Sequence, residues 1–186
     1  STRLLINCHL PAKVSEIMQQ MNLAPRSLKL EVTETSVMEN AETALWILSE
    51  LSAAGVRVSS DDFGTGYSSL SYLHRFPFAR LKIDRSFIGK MDSDLKSEEI
   101  VRTILTLADN LHLEAVAEGV ETEAQFRLLS ELGCRFGQGF LFSKPLAASE
   151  AEKLIGTTFA SEISSSASII APPFRNKAAF EAATKI

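Results

Sequence analysis

Short apolar runs alternate with stretches of helical periodicity from residue 4 to residue 155, and this alternation constrains the fold more than any other feature. The runs lie at 4–6, 28–32, 56–58, 80–83, 115–117 and 140–142. Between them, Pro11 opens a helix with Val14, Ile17, Met18 and Met21 on one stripe, since proline suits a first helical turn. Asn40 caps a helix running through Ser52, with Leu45, Leu48 and Leu51 inward and Gly55 as its stop. A short helix is expected at 68–73. A long one follows at 97–111, with Ile100, Ile104, Leu107 and Leu111 on one face. Helices at 122–132, stopped by Gly133, and at 147–155 complete the series. Strand and helix joined by short loops, repeated about six times, predict βα units and parallel strands. The fold class is therefore α/β, as an open parallel sheet or a (β/α) barrel.

The rest of the chain sets bounds. With 186 residues, 45% apolar and 23% charged, it can bury a core as one ordinary globular domain. A net charge of −4 with no block of Lys or Arg implies no affinity for a DNA or RNA polymer. Cys8 and Cys134 stand far apart in no metal spacing, which suits free thiols in a reducing compartment; the expected location is the cytoplasm. No apolar run is long enough to span a bilayer, and no signal-peptide pattern occurs. The first residues already read as a strand, so we expect a chain cut from something longer, whose upstream part could carry a membrane anchor. From Gly156 the composition shifts to the Ser-rich, Pro-broken run SEISSSASIIAPPF. Residues 157–186 are expected to form a flexible tail or linker, with a weak helix near 178–185.

The polar residues are informative by position. The apolar runs end at Asn7, at Glu31 followed by Glu34, at Asp61-Asp62, at Lys82 followed by Asp84, and at Glu118 followed by Glu121; the last run is entered through Gln138. In a barrel these strand ends converge on one face, where sites are built; in an open sheet they spread along an edge. Glu31, Asp61, Asp62 and Glu118 on one face would repel one another without cations. Hard oxygen ligands select Mg²⁺ or Mn²⁺, and a carboxylate bridging two such ions is the logic of two-metal phosphodiester hydrolysis. Singly, each residue has a plainer role: Asn7 or Gln138 in a turn, Glu34 and Glu121 as first-turn helix acids, Asp61-Asp62 as a capping pair, Lys82 as an ion-pair partner. Repetition over successive strand ends is what capping explains poorly.

Two motif matches fail. Gly64-Thr65-Gly66 with Asp84 resembles a dinucleotide loop, but it lacks the third glycine, and Asp61 and Asp62 would repel a pyrophosphate. Asp62-Phe63-Gly64 matches a kinase triplet whose other motifs are missing. His9, His74 and His112 form no metal spacing.

Several ordered segments carry a family resemblance: LEVTET at 30–35, DDFGTGYSSLSYL at 61–73, LKIDRSFI at 81–88, AEGVET at 117–122 and QGFLFSKPL at 138–146. Together they resemble the EAL-domain family of bacterial cyclic di-GMP phosphodiesterases over about residues 3 to 156, and residues 1–156 are read as the C-terminal portion of such a domain. The resemblance implies a (β/α)8 TIM-barrel-like fold and a hydrolase that cleaves cyclic di-GMP to linear pGpG with two divalent ions, Mg²⁺ or Mn²⁺. It implies Asn7, Glu31 and Asp61 as ligands of one ion, with Asp61 bridging to a second held by Asp62 and Glu118. Lys82 and Glu121 would orient water and charge, Gln138 and Asp84 would line the substrate side, and Glu34 would hold the DDFGTG loop. That loop and the helix after it would make a homodimer contact. An alternative is a catalytically inactive EAL-type receptor that binds cyclic di-GMP; an unrelated metal-dependent barrel enzyme would require the whole motif series to be coincidence.

The departures are specific. No Glu-Ala-Leu segment lies on an early strand, and Asn7-Cys8-His9 stands where the family has Asn-Leu-Ser. About six βα units are visible, where a complete barrel takes about 250 residues. Missing strands leave unpaired edges. We therefore expect the 186-residue chain on its own to turn over little substrate; measurable Mg²⁺-dependent cleavage of cyclic di-GMP by it would contradict this.

Overall fold

The computed structural model describes residues 5–66, 73–154 and 175–176. The chain divides into two compact units, residues 1–82 and 83–186.

The first unit holds α1 (Leu10–Gln20), β1 (Lys29–Thr33), α2 (Glu34–Met38), α3 (Ala41–Ala53) and β2 (Arg57–Phe63), and β3 (Phe78–Ile83) closes it. β1 and β2 run parallel, with Glu31 opposite Ser59 and Thr33 opposite Asp61. Ile47, Leu48 and Leu51 of α3 are fully buried with Val37 and Val58; each such side chain contributes roughly 1.5–3 kcal/mol relative to exposure. The Asn40 side chain accepts from the Thr43 N–H, as a cap should. At the other end Gly55 takes φ +89°, and the Val56 N–H donates to the Leu51 carbonyl, which closes the helix and aims the chain into β2.

The second unit holds α4 (Arg85–Ile88), α5 (Leu95–Asn110), β4 (Glu114–Glu118), α6 (Glu123–Glu131), β5 (Phe136–Gln138), α7 (Ala148–Leu154) and the two-residue β6 (Arg175–Asn176). β4 pairs parallel with β5, and β5 with β6. Strand and helix alternate as expected. Of the expected tail only Arg175 and Asn176 are described; the expected helix near 178–185, like most of that at 68–73, lies outside the described residues.

Several expectations are corrected. No strand forms at 5–6, where the chain turns. Leu5 enters the core, Ile6 is exposed, and the Asn7 carbonyl accepts from Leu10 as α1 begins at once. On α1 the buried residues are Pro11 and Met18, with Val14 half-buried, whereas Ile17 and Met21 are exposed. Residues 11, 14 and 18 share a face at 3.6 residues per turn; Ile17 lies a hundred-degree step away from Met18. On α5 the buried set is Ser97, Val101, Ile104 and Ala108, while Ile100 is exposed. This face lies one residue on from the expected stripe, with Val101 and Ala108 buried in place of Ile100 and Leu107. α4 was not expected; Asp84 caps it.

The last strand is displaced most. It is Phe136–Gln138, and residues 140–142 form a turn. Val120 donates to the Gln138 carbonyl and accepts from the Leu141 N–H, each at 3.0 Å, which folds the chain back immediately after β5. Phe142 then packs edge-on against Phe126. A Cβ on Gly139 would lie 2.2 Å from the Val120 carbonyl oxygen. Gly139→Ala should therefore destabilise the protein by about 2 kcal/mol or more, read as a lower urea midpoint at unchanged slope.

Candidate functional site

In the first unit, Glu31 on β1 and Asp61 on β2 meet at one cation. The Lys82 ammonium, from β3, donates to Glu31 Oε2 at 2.9 Å and to Asp61 Oδ1 at 2.8 Å. The parallel register makes this possible: Asp61 stands two residues beyond Ser59, the partner of Glu31, so period-two alternation puts both acids on one face. The lysine side chain is only 7% exposed, against 36% for Glu31 and 26% for Asp61. A buried ammonium costs several kcal/mol unless paired, and here it is paired on two sides.

Asp62 solves a geometric problem. Neighbouring residues in a strand project to opposite faces, so Asp61 and Asp62 could not both serve one face of a regular strand. Asp62 has φ +51°, in the left-handed region, at the end of β2. The alternation breaks there. Its carbonyl accepts from the Thr65 N–H at 3.3 Å and the Thr65 hydroxyl at 2.9 Å, and Gly64 follows with φ +95°. Aspartate is among the few non-glycine residues that tolerate this conformation.

Glu34 opens α2 and is buried, and among the described residues neither carboxylate oxygen has a hydrogen-bond donor. A Cβ on Gly66 would sit 3.5 Å from its Cδ and Oε2, so Glu34 lies against the end of the DDFGTG segment. Asn7 is exposed, and its Oδ1 accepts from the His9 N–H at 3.0 Å, the local turn role that an isolated asparagine often fills.

In the second unit, Glu118 and Gln138 are register partners at the ends of β4 and β5. Gln138 Nε2 donates to Glu118 Oε1 at 2.6 Å. Ending β5 at Gln138 makes this contact; had the strand begun there, the amide would stand at the opposite end. Glu121 is exposed in the turn after β4. Its N–H donates to Gln125 Oε1 at 2.8 Å, as does that of Thr122 at 3.1 Å, while Thr122 Oγ1 accepts from the Gln125 N–H. Gln125 was missed by the reading of the sequence, although Thr-x-x-Gln ahead of an apolar run is a capping-box signature. Gly119, at φ +71°, is packed so that a Cβ would lie 2.6 Å from Arg85 Cβ. Asp84 accepts from the Ser86 N–H at 2.9 Å. Burial raises its pKa, but the Ser86 and Arg85 donors more than offset that, and the carboxyl titrates below its ordinary value. Burial pushes the Cys134 thiol up to about 11, which removes it as a nucleophile.

The chain matches the EAL domain family model over residues 1–145 and belongs to that family. It is 52% identical over 129 residues to the bifunctional diguanylate cyclase/cyclic di-GMP phosphodiesterase MucR of Pseudomonas aeruginosa, covering 69% of this chain and 19% of that protein. It is 42% identical over 161 residues to the cyclic di-GMP phosphodiesterase NbdA of the same organism, covering 82% of this chain and 21% of that protein. The MucR phosphodiesterase in complex with c-di-GMP superposes with TM-score 0.77 at 47% identity, over 81% of this chain and 61% of that one. The manganese/cy-diGMP complex of Klebsiella pneumoniae BlrP1 gives 0.70 at 33% identity, over 76% and 36%. The chain thus spans about a fifth of the length of the curated relatives it matches. The fold class is that of these domains, an incomplete (β/α) TIM-barrel-like α/β fold. No helix among the described residues is long and apolar enough to cross a membrane.

The left-handed backbone at Asp62 separates charge from conformation. Asp62→Asn should keep wild-type thermal stability in the absence of metal, whereas Asp62→Val should lose about 1–2 kcal/mol, since a β-branched residue is poorly accommodated at this φ. Equal melting temperatures for the two variants would contradict the backbone argument.

Proposed function

We propose that the protein is a phosphodiesterase that hydrolyses cyclic di-GMP to linear pGpG with two divalent cations, Mg²⁺ or Mn²⁺. The observation that carries the reading is the convergence of Glu31 and Asp61, from adjacent parallel strands, on one cation position. The Lys82 ammonium stands there as a monovalent stand-in. The donor set fits hard cations: Asn7, Glu31, Asp61, Asp62 and Glu118 offer oxygen only. In the proposed assignment Asn7, Glu31 and Asp61 hold one ion, and Asp61 bridges to a second with Asp62 and Glu118. Asn7 must give up its turn contact with His9 to do so.

The chemistry such ions supply is polarisation of a phosphodiester and activation of water at neutral pH. The chain's own residues set the geometry. A cyclic dinucleotide carries two phosphodiester charges, so these acids exclude it unless cations neutralise them. Lys82 adds a fixed positive charge beside Asp61 and, with Glu121, orients the attacking water. Gln138 holds Glu118 through its amide, fixing that carboxylate against β5, and lines the substrate side with Asp84. Glu34 supports the DDFGTG segment at Gly66, and this segment with the residues after it forms a homodimer contact. The family membership and the likeness to MucR and NbdA support the substrate assignment. The free thiols of Cys8 and Cys134 accord with a cytoplasmic setting.

The test is direct. In the longer protein to which these residues are expected to belong, Asp61→Asn should lower conversion of cyclic di-GMP to pGpG, followed by anion-exchange chromatography, by at least about 100-fold, or ~2.7 kcal/mol of transition-state stabilisation. EDTA should abolish turnover, and Mg²⁺ or Mn²⁺ should restore it. Tight binding of cyclic di-GMP by that longer protein with no turnover in either ion would establish a receptor instead.

A further inference from the structure

Lys82 draws one oxygen from each of two acids on different strands, Glu31 Oε2 and Asp61 Oδ1, at 2.9 and 2.8 Å. It does so from a buried stem, whereas both acids keep a partly exposed flank. The acids therefore have access to solvent ions while a protein cation already balances one of their two charges. We infer that Lys82 is a built-in surrogate cation: it holds the Glu31–Asp61 pair together before metal arrives and competes with the ion those acids take, so that occupancy follows divalent-cation supply. The inference rests on the proposed reading of Glu31 and Asp61 as ligands.

The physical basis is that two carboxylates this close need a counter-charge in every state of the protein. With Lys82 present, an incoming divalent ion meets a pair with one of its two negative charges already balanced, and a like charge held nearby at low exposure, where screening is weak. Affinity is then lower than the bare acids would give. The metal-free site keeps its shape because the ion pairs tie β1 to β2 through β3. Removing the ammonium should reverse both effects: the site should bind metal more tightly and depend on metal for its stability.

The experiment reads Mn²⁺ binding by the EPR signal of the free ion, with no reference to turnover. Lys82→Met and Lys82→Gln should each bind Mn²⁺ at least about tenfold more tightly than wild type, and Lys82→Arg, which keeps the charge, should not. The same two neutral variants should melt lower than wild type in EDTA and recover most of the difference in Mn²⁺. Should the neutral variants fail to fold, wild type suffices: the ammonium resonance of Lys82, slowed in proton exchange by its two ion pairs, should shift and exchange faster as Mg²⁺ is added. Neutral variants that bind Mn²⁺ no more tightly than wild type, or an ammonium signal unchanged to saturation, overturn the inference and leave the two-metal reading intact. Wild type that takes up no Mn²⁺ overturns both.

Discussion

Two carboxylates held on adjacent strands require a cation between them, and much of the first unit serves to supply one. Glu31 and Asp61 share a face because parallel pairing aligns their strands. Lys82 reaches both because β3 carries it there from a buried stem. Without this pairing the acids would repel, and a buried ammonium would be too costly to keep. The ion pair is thus a condition of the local fold as much as a device of the site.

The second constraint is conformational. A doublet of acids at a strand end would be split between two faces by the pleat. The left-handed backbone at Asp62 breaks the alternation within the doublet, one residue before β2 ends at Phe63, and Gly64 follows in the same region. A comparable economy operates at the end of β5. Gly139 lets the chain press against Val120, so Gln138 closes the strand beside Glu118, and the amide and carboxylate meet across a registered pair. At both places a residue with an unusual backbone requirement determines where a functional side chain stops.

Much of this was legible in the residues. The alternation of apolar runs with helical periods identified the parallel α/β class. The acids at successive run ends singled out the places where Lys82 pairs with Glu31 and Asp61 and where Gln138 bonds Glu118. Asn40, Gly55 and Gly133 marked helix ends that the structure shares. Other readings failed for physical reasons. Ile17, Met21 and Ile100 carry apolar side chains at helical spacing, but the faces that pack are those of Pro11 and Met18 and of Val101, Ile104 and Ala108; spacing alone does not say which of two adjacent stripes meets the core. The strand at 140–142 was misplaced because Phe-Leu-Phe has higher strand propensity than Phe-Gly-Gln, while the turn imposed by Val120 and Gly139 is a tertiary contact. Asp84 and Gln125 have capping roles that follow from helix ends whose positions had to be known first.

By itself, the sequence determined the class of fold, the run of oxygen-donor residues at the strand ends, and the family, because these depend on local periodicity and on motif spacing. The tertiary structure decided which face of each helix is buried, where β5 ends, that Lys82 sits between Glu31 and Asp61, and that Gln138 holds Glu118. These depend on register and close packing between segments far apart in the chain. A register shift of one residue would move every one of those side chains to the opposite face.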